Sequence, residues 1–143
     1  MSTVWLCHFY LYYSDAKAIY IYRDPRAILN PKSNDLEKEA STLCESLKND
    51  LQEIDNNMPK NKFHTLRFED FAHRPEEVIS TQVTNLTNLF CQNDYNNQTS
   101  SKELRSQIDT WKLTFSMEQI AMIEDKCAQV LNRLEYPIYG NML

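Results

Sequence analysis

The segment Lys17-Ala-Ile-Tyr-Ile-Tyr-Arg23, followed at once by Asp24-Pro25, decides the predicted fold of this chain. Its continuous apolar run is rich in residues with high strand propensity and ends at charged residues and a proline, which is typical of a strand buried on both faces of a parallel sheet. Aspartate is a good helix N-cap, and proline is favoured at the first helical position. The segment therefore predicts a buried strand that leads into a short helix from Arg26 to Asn30, ending before Pro31.

The remaining chain contains helical patterns and one further strand pattern. The segment Lys62-Phe-His-Thr-Leu-Arg-Phe68 alternates between apolar and polar residues and predicts the second strand. Apolar spacing and capping signals predict further helices at Leu36 to Ile54, Glu76 to Phe90, Lys102 to Lys112, and after the capping box Ser116-Met-Glu-Gln119. Because strands and helices alternate, this order predicts an α/β fold class with a small parallel sheet flanked by helices.

Length, charge and glycine content limit the function classes. The chain has 143 residues, of which 42% are hydrophobic and 24% charged, the size and balance of one globular domain. A net charge of −5 argues against broad binding to nucleic acid or to an anionic membrane, because phosphate binding needs a basic field. The single glycine, Gly140, excludes the usual glycine-rich phosphate loop. No apolar run approaches the length of about 20 residues that a transmembrane segment requires.

Cysteine spacing leaves the redox state open. Cys7, Cys44, Cys91 and Cys127 show no CxxC spacing, so they do not predict a zinc site. They could form up to two disulfides, with about three possible connectivities. Cys44 and Cys127 each fall within an apolar helical stripe, which favours buried thiols at these two positions.

The junction Tyr22-Arg-Asp-Pro-Arg-Ala27 is the strongest candidate for a binding site. Arg23 follows the predicted strand at its carboxyl edge, where ligands of open α/β sheets bind, and a helix N-terminus comes next. A guanidinium in that place can make paired hydrogen bonds to a phosphate. The residues alone leave an alternative open, in which Arg23 or Arg26 forms a salt bridge with a nearby carboxylate.

Carboxylates and histidines give weaker candidates. Glu69 and Asp70 are adjacent on a predicted strand end, so their side chains point to opposite faces and do not form a catalytic pair. We expect one of them to pair with Arg67 or Arg74. The histidines are scattered, so the sequence predicts no metal site and leaves the catalytic residues unknown.

Several of these segments, in this order, resemble Golgi carbohydrate sulfotransferases, and the galactose/N-acetylglucosamine branch is the most similar. The stretch from Lys17 to Leu29 is similar to that family's 3′-phosphate-binding strand and helix, and Thr65-Leu-Arg-Phe-Glu-Asp-Phe71 is similar to its "RYEDL" strand end. The resemblance also includes the helix around Leu43-Cys44, Trp111, the helix from Ser116 to Cys127, and Leu134-Glu-Tyr-Pro137.

This resemblance implies a partial P-loop-type three-layer sulfotransferase fold, in which residues 1–16 are an unassigned N-terminal segment and residues 17–143 the C-terminal portion of a sulfotransferase domain. It implies sulfuryl transfer from phosphoadenosine phosphosulfate (PAPS) to a hydroxyl of a glycan acceptor. By resemblance, Arg23 binds the 3′-phosphate of PAPS. The family usually has a serine where Pro31 stands here, and Ser33 is the residue that could supply the hydroxyl instead.

The resemblance also has a gap. None of the 22 residues before Arg23 is similar to the family's 5′-phosphosulfate loop. We therefore expect the isolated 143 residues to show no sulfate transfer, and whether the chain is an enzyme stays open. The first alternative is a non-catalytic remnant that acts as a nucleotide-binding or protein-interaction module, with a partner chain on an open sheet edge. The second is an unrelated small α/β interaction domain.

The expected localisation differs between the family resemblance and the sequence itself. The resemblance implies the Golgi lumen, whereas the chain as written carries neither signal nor anchor and would stay in the cytosol. The sequons Asn85-Leu-Thr87 and Asn97-Gln-Thr99 matter only in the secretory pathway.

Overall fold

The computed structural model describes residues 18–78 and 101–140. Its elements are β1 (Ala18–Tyr22), a 3₁₀ turn (Pro25–Ala27), α1 (Leu36–Asn57), β2 (Phe63–Arg67), α2 (Phe68–His73), α3 (Pro75–Val78), α4 (Ser101–Ser106), α5 (Trp111–Thr114) and α6 (Met117–Arg133). The described residues divide into a sheet unit, 18–23, 59–78 and 101–108, and a helical unit, 24–58 and 109–140. None of the helices in the described ranges has the length and apolar character needed to span a bilayer.

In the sheet unit, β1 and β2 pair in parallel, with Ala18 opposite Phe63 and Tyr22 opposite Arg67. Phe63 and Leu66 are buried, whereas Thr65 between them is exposed. Because residues three apart on a strand point to opposite faces, each face of β2 carries one buried apolar residue, and the burial does not follow a simple alternation. The predicted α/β class with a small parallel sheet is confirmed for the described residues. The expectation that β1 is buried on both faces was wrong, because none of its residues is buried and Ile21 is 56% exposed.

Helix α2 begins directly where β2 ends, and α4 packs against it. Glu69 and Asp70 therefore lie in the first turn of a helix, and their predicted place at a strand end was wrong. Arg105 of α4 donates from Nη2 to the carbonyl oxygen of His73 at 2.6 Å and from Nε to that of Ala72 at 3.4 Å. A cation at the carboxyl end of a helix is favourable because the last carbonyl groups there lack partners within the helix. Arg105 therefore joins α4 to the end of α2.

In the helical unit, α1 packs against α6, and the apolar stripes of the two helices form the core. The predicted capping box is confirmed: Ser116 Oγ accepts from the Gln119 N–H at 3.2 Å, and Gln119 Oε1 accepts from the Ser116 N–H at 2.9 Å. The buried residues of the two helices are Leu36, Ala40, Cys44, Leu51, Ile54, Ile120, Ile123, Glu124, Cys127, Val130 and Leu131.

A disulfide joins Cys44 of α1 to Cys127 of α6, whose Cα atoms are 5.2 Å apart. The prediction of buried thiols at these two positions was wrong, although both side chains are buried, with exposures of 3% and 0%. The periodicity of one helix shows that a cysteine faces the core, but it does not show which residue of the other helix lies opposite. Cys7 and Cys91 lie outside the described residues.

Two predicted helices differ from those observed. The segment Lys102 to Lys112 is interrupted after Ser106, because the chain turns so that Ile108 and Trp111 are both buried. The short helix predicted from Arg26 to Asn30 is a 3₁₀ turn that begins one residue earlier. The helix predicted from Glu76 begins as α3, and its part beyond residue 78 lies outside the described residues, as does the unassigned segment 1–16.

Candidate functional site

Arg23 lies at the carboxyl end of β1 in the sheet unit. Because Tyr22 pairs with Arg67 in a parallel register, the next residues of the two strands, Arg23 and Phe68, are also neighbours. The guanidinium carbon of Arg23 stands 4.7 Å from the centre of the Phe68 ring, and Nη2 donates to the main-chain oxygen of Gln107 at 2.8 Å. An aromatic face and a neutral carbonyl therefore hold this side chain.

The charge of Arg23 is not neutralised within the part of the chain that the structure describes. Its guanidinium forms no ion pair with any described carboxylate, and its buried Nε has no hydrogen-bond partner there. A carbonyl oxygen accepts a hydrogen bond but carries no net charge. Arg23 therefore retains a full positive charge and unused N–H donors, which is the chemistry that an anion requires.

Ser33, the other predicted contact to the phosphate, lies in the helical unit before α1. Its N–H donates to the carbonyl oxygen of Asn30 at 3.0 Å, and its Oγ accepts from the Asp35 N–H at 3.2 Å. These contacts order the turn and use an acceptor position of the hydroxyl, so the hydroxyl proton is not engaged in them. Arg23 belongs to the sheet unit and Ser33 to the helical unit.

Arg26, in contrast, is enclosed by acids in the helical unit. Its side chain has 0% exposure, Nη2 donates to Asp24 Oδ2 at 2.7 Å, and Nη1 donates to Glu124 Oε1 at 2.5 Å. Burial by itself lowers the pKa of Arg26, but the hydrogen bonds and charges of Asp24 and then Glu124 outweigh it, so the pKa is raised. The salt-bridge interpretation of the junction is therefore correct for Arg26.

Glu124 also binds the segment that follows α6. Its carboxylate accepts from the Tyr139 N–H at 3.0 Å and from the Gly140 N–H at 2.6 Å. Sequence reasoning missed this residue, although an acid within the apolar stripe of α6 is a usable signal, because a buried carboxylate needs partners. The cluster of Asp24, Arg26 and Glu124 is saturated and stabilises the helical unit rather than offering a ligand site.

Among the weaker candidates, Glu69 is also paired with an arginine. Glu69 is buried and lies 3.5 Å from Nε of Arg67, so the expected pairing of this carboxylate with an arginine is confirmed. Arg74 instead pairs with Glu77 at 3.1 Å on the surface. Across residues 18–78 and 101–140, no group of three or more His, Cys, Asp or Glu side chains is arranged to hold a metal ion.

The resemblance of this chain to sulfotransferases rests on the segments quoted from its sequence. The structure describes most of those segments. It shows Arg23 beside a phenyl ring and a carbonyl, and Ser33 in the turn before α1. The family, the cofactor and the roles of these two residues stay predictions. No protein-family model, no curated protein and no solved structure matches the chain.

Proposed function

We propose that residues 17–143 are the C-terminal portion of a carbohydrate sulfotransferase domain with a partial P-loop-type three-layer fold, and that Arg23 binds the 3′-phosphate of PAPS. The observation that carries the proposal is the unneutralised guanidinium of Arg23 at the carboxyl end of a parallel strand. Ligands of α/β sheets bind at such edges, and arginine recognises phosphate through paired hydrogen bonds.

The contrast between two neighbouring arginines supports this assignment. Arg26 meets two carboxylates, so its charge is already balanced inside the protein. Arg23 meets a ring and a carbonyl instead, so no described carboxylate competes with an anion for its guanidinium. The phosphate of a nucleotide is an anion that supplies this charge and accepts several hydrogen bonds at once.

Ser33 stays a cofactor contact implied by the resemblance, and its hydroxyl proton is not used in the turn before α1. Sulfuryl transfer depends mainly on positioning the donor and stabilising charge, as phosphoryl transfer does. No segment of the sequence is similar to the family's 5′-phosphosulfate loop. We therefore propose that the isolated chain binds the nucleotide but does not transfer a sulfuryl group to a glycan hydroxyl.

The disulfide between Cys44 and Cys127 supports a location in an oxidising compartment, since disulfides are rare in proteins of the reducing cytosol. The Golgi lumen, which the sequence resemblance implies, is such a compartment of the secretory pathway. We therefore favour the lumen over the cytosol for this chain.

Calorimetric titration with adenosine 3′,5′-bisphosphate tests the proposal. We expect saturable binding to the wild-type chain and a loss of affinity of at least about tenfold in Arg23→Ala, because a charged hydrogen bond contributes roughly 1.5–3 kcal/mol. Arg74→Ala is the matched control, since it removes the same charge from an exposed surface pair. Binding that is absent from the wild type, or weakened equally by both substitutions, would contradict the proposal.

A transfer assay separates the enzyme from the non-catalytic alternative. With labelled PAPS and an oligosaccharide acceptor, we expect the isolated chain to bind the nucleotide and to transfer no label. Transfer above the Arg23→Ala background would show that the chain is an active sulfotransferase. The predicted partner chain on a sheet edge stays a prediction.

A further inference from the structure

We propose that Phe68 and the main-chain carbonyl of Gln107 are positioning groups, which orient the guanidinium of Arg23 for a phosphate oxygen. This role rests on the proposed function of Arg23, and neither Phe68 nor Gln107 was a candidate site residue in the sequence. The phenyl ring lies 4.7 Å from the guanidinium carbon, and the carbonyl oxygen accepts from Nη2 at 2.8 Å.

The two contacts restrict different motions of the same group. The guanidinium carbon lies over the face of the Phe68 ring, and the attraction of the cation to that face restricts its movement away from the ring. The hydrogen bond to Gln107 restricts the rotation of the guanidinium. Together they hold a long, flexible side chain in one orientation before any ligand arrives, which lowers the entropy lost on binding.

The two contacts also leave N–H donors of Arg23 available. The Phe68 ring attracts the cation without accepting a conventional hydrogen bond, whereas phosphate oxygens bind arginine through its N–H groups. The Gln107 carbonyl accepts from Nη2, which carries two N–H groups, and no described carboxylate competes for Nη1. An acidic contact would have neutralised the group, as Asp24 and Glu124 neutralise Arg26.

The fold of the sheet unit fixes both positioning groups. Phe68 is the first residue of α2, and the register that pairs Tyr22 with Arg67 places it beside Arg23. Gln107 follows the last residue of α4, and Arg105 attaches α4 to the end of α2 through the His73 carbonyl at 2.6 Å. Phe68 and Gln107 are thus held by two helices that contact each other.

Nitrogen-15 NMR of the arginine side chains in the full chain tests the orientation without any ligand. We expect rotation about the Nε–Cζ bond of Arg23 to be several times slower than that of the exposed Arg74, and Phe68→Leu to remove the difference. Phe68→Tyr, which keeps a ring, should preserve it. Equal rotation of the two arginines in the wild type would overturn the inference, and so would slow rotation that persists in Phe68→Leu.

Titration of the same variants with adenosine 3′,5′-bisphosphate tests whether the orientation of Arg23 contributes to nucleotide affinity. We expect Phe68→Leu to weaken binding about two- to fivefold and Phe68→Tyr to bind as the wild type does. Phe68→Met is the second variant if Phe68→Leu does not fold. Unchanged affinity in Phe68→Leu, with binding that still depends on Arg23, would overturn the positioning role alone. Absence of binding to the wild type would overturn the proposed function, whatever the NMR result.

Discussion

Nη1 of Arg26 donates a hydrogen bond to Oε1 of Glu124 at 2.5 Å, and both side chains are buried in the helical unit. This pair links the 3₁₀ turn after β1 to helix α6 across a large separation in sequence. Glu124 adds two hydrogen bonds from the main chain that follows α6, at Tyr139 and Gly140. A charged network of this kind holds the three segments together only while every member is present.

Loss of one member should therefore destabilise the protein strongly. We expect Glu124→Ala to lower the free energy of unfolding by about 3–5 kcal/mol, because Arg26 loses a buried counter-charge and two N–H groups lose their acceptor. Urea denaturation followed by circular dichroism measures the change. Glu118→Ala, on the exposed first turn of the same helix, is the control and should stay within about 1 kcal/mol of the wild type. Equal effects of the two substitutions would contradict this account of the network.

The disulfide should contribute to stability by restricting the unfolded chain. The cysteines are separated by 83 residues, and closing a loop of that size is worth about 3–5 kcal/mol. We expect the double variant Cys44→Ser, Cys127→Ser to unfold at lower urea concentration by this amount. Dithiothreitol should destabilise the wild type and leave the double variant unchanged. Alkylation of Cys44 and Cys127 in the denatured, unreduced protein would show that the bond is absent.

The single glycine of the chain is required by close packing. A Cβ atom built on Gly140 would lie 2.8 Å from Cα of Ala121 and 2.9 Å from Oε2 of Glu124. We expect Gly140→Ala to destabilise the protein by about 1–3 kcal/mol, since the main chain has to move away from α6. Asn34→Ala, at an exposed position of the same unit, serves as the comparison in thermal unfolding. An unchanged melting temperature for Gly140→Ala would show that the segment does not pack in this way.

A substitution at the end of α6 should stabilise the protein. Glu135 has φ 56°, a left-handed conformation that glycine adopts more easily, and the next N–H, of Tyr136, donates to the Leu131 carbonyl at 2.9 Å. We expect Glu135→Gly to raise the free energy of unfolding by about 0.5–1 kcal/mol. The same change at Glu118, within the helix, should lower it by about 1 kcal/mol. If chemical denaturation shows that Glu135→Gly destabilises the protein, residue 135 does not adopt the left-handed conformation.

Local signals in the sequence were sufficient for most elements. The apolar run before Arg23 predicted β1, Asp24-Pro25 predicted the turn that follows, and Ser116 with Gln119 predicted the start of α6. Each of these features depends on residues close together in the chain, so one segment contains all the information that is needed.

The surroundings of the candidate site could not be predicted, because they depend on pairs of distant segments. Phe68 reaches Arg23 only through the register of two strands, and Gln107 only through the packing of α4. The partnership of Cys44 with Cys127 likewise depends on how two helices align. The sequence identified Arg23 as a candidate but could not show that its charge would be left unbalanced.

The most direct test of the central claim is the discrimination between two nucleotides that differ only in the 3′-phosphate. The ratio of Kd for adenosine 5′-phosphate to Kd for adenosine 3′,5′-bisphosphate measures what that phosphate contributes to binding. We expect a ratio of at least about 10 for the wild type and a ratio near 1 for Arg23→Ala. The same ratio in both proteins would contradict the claim that Arg23 binds the 3′-phosphate.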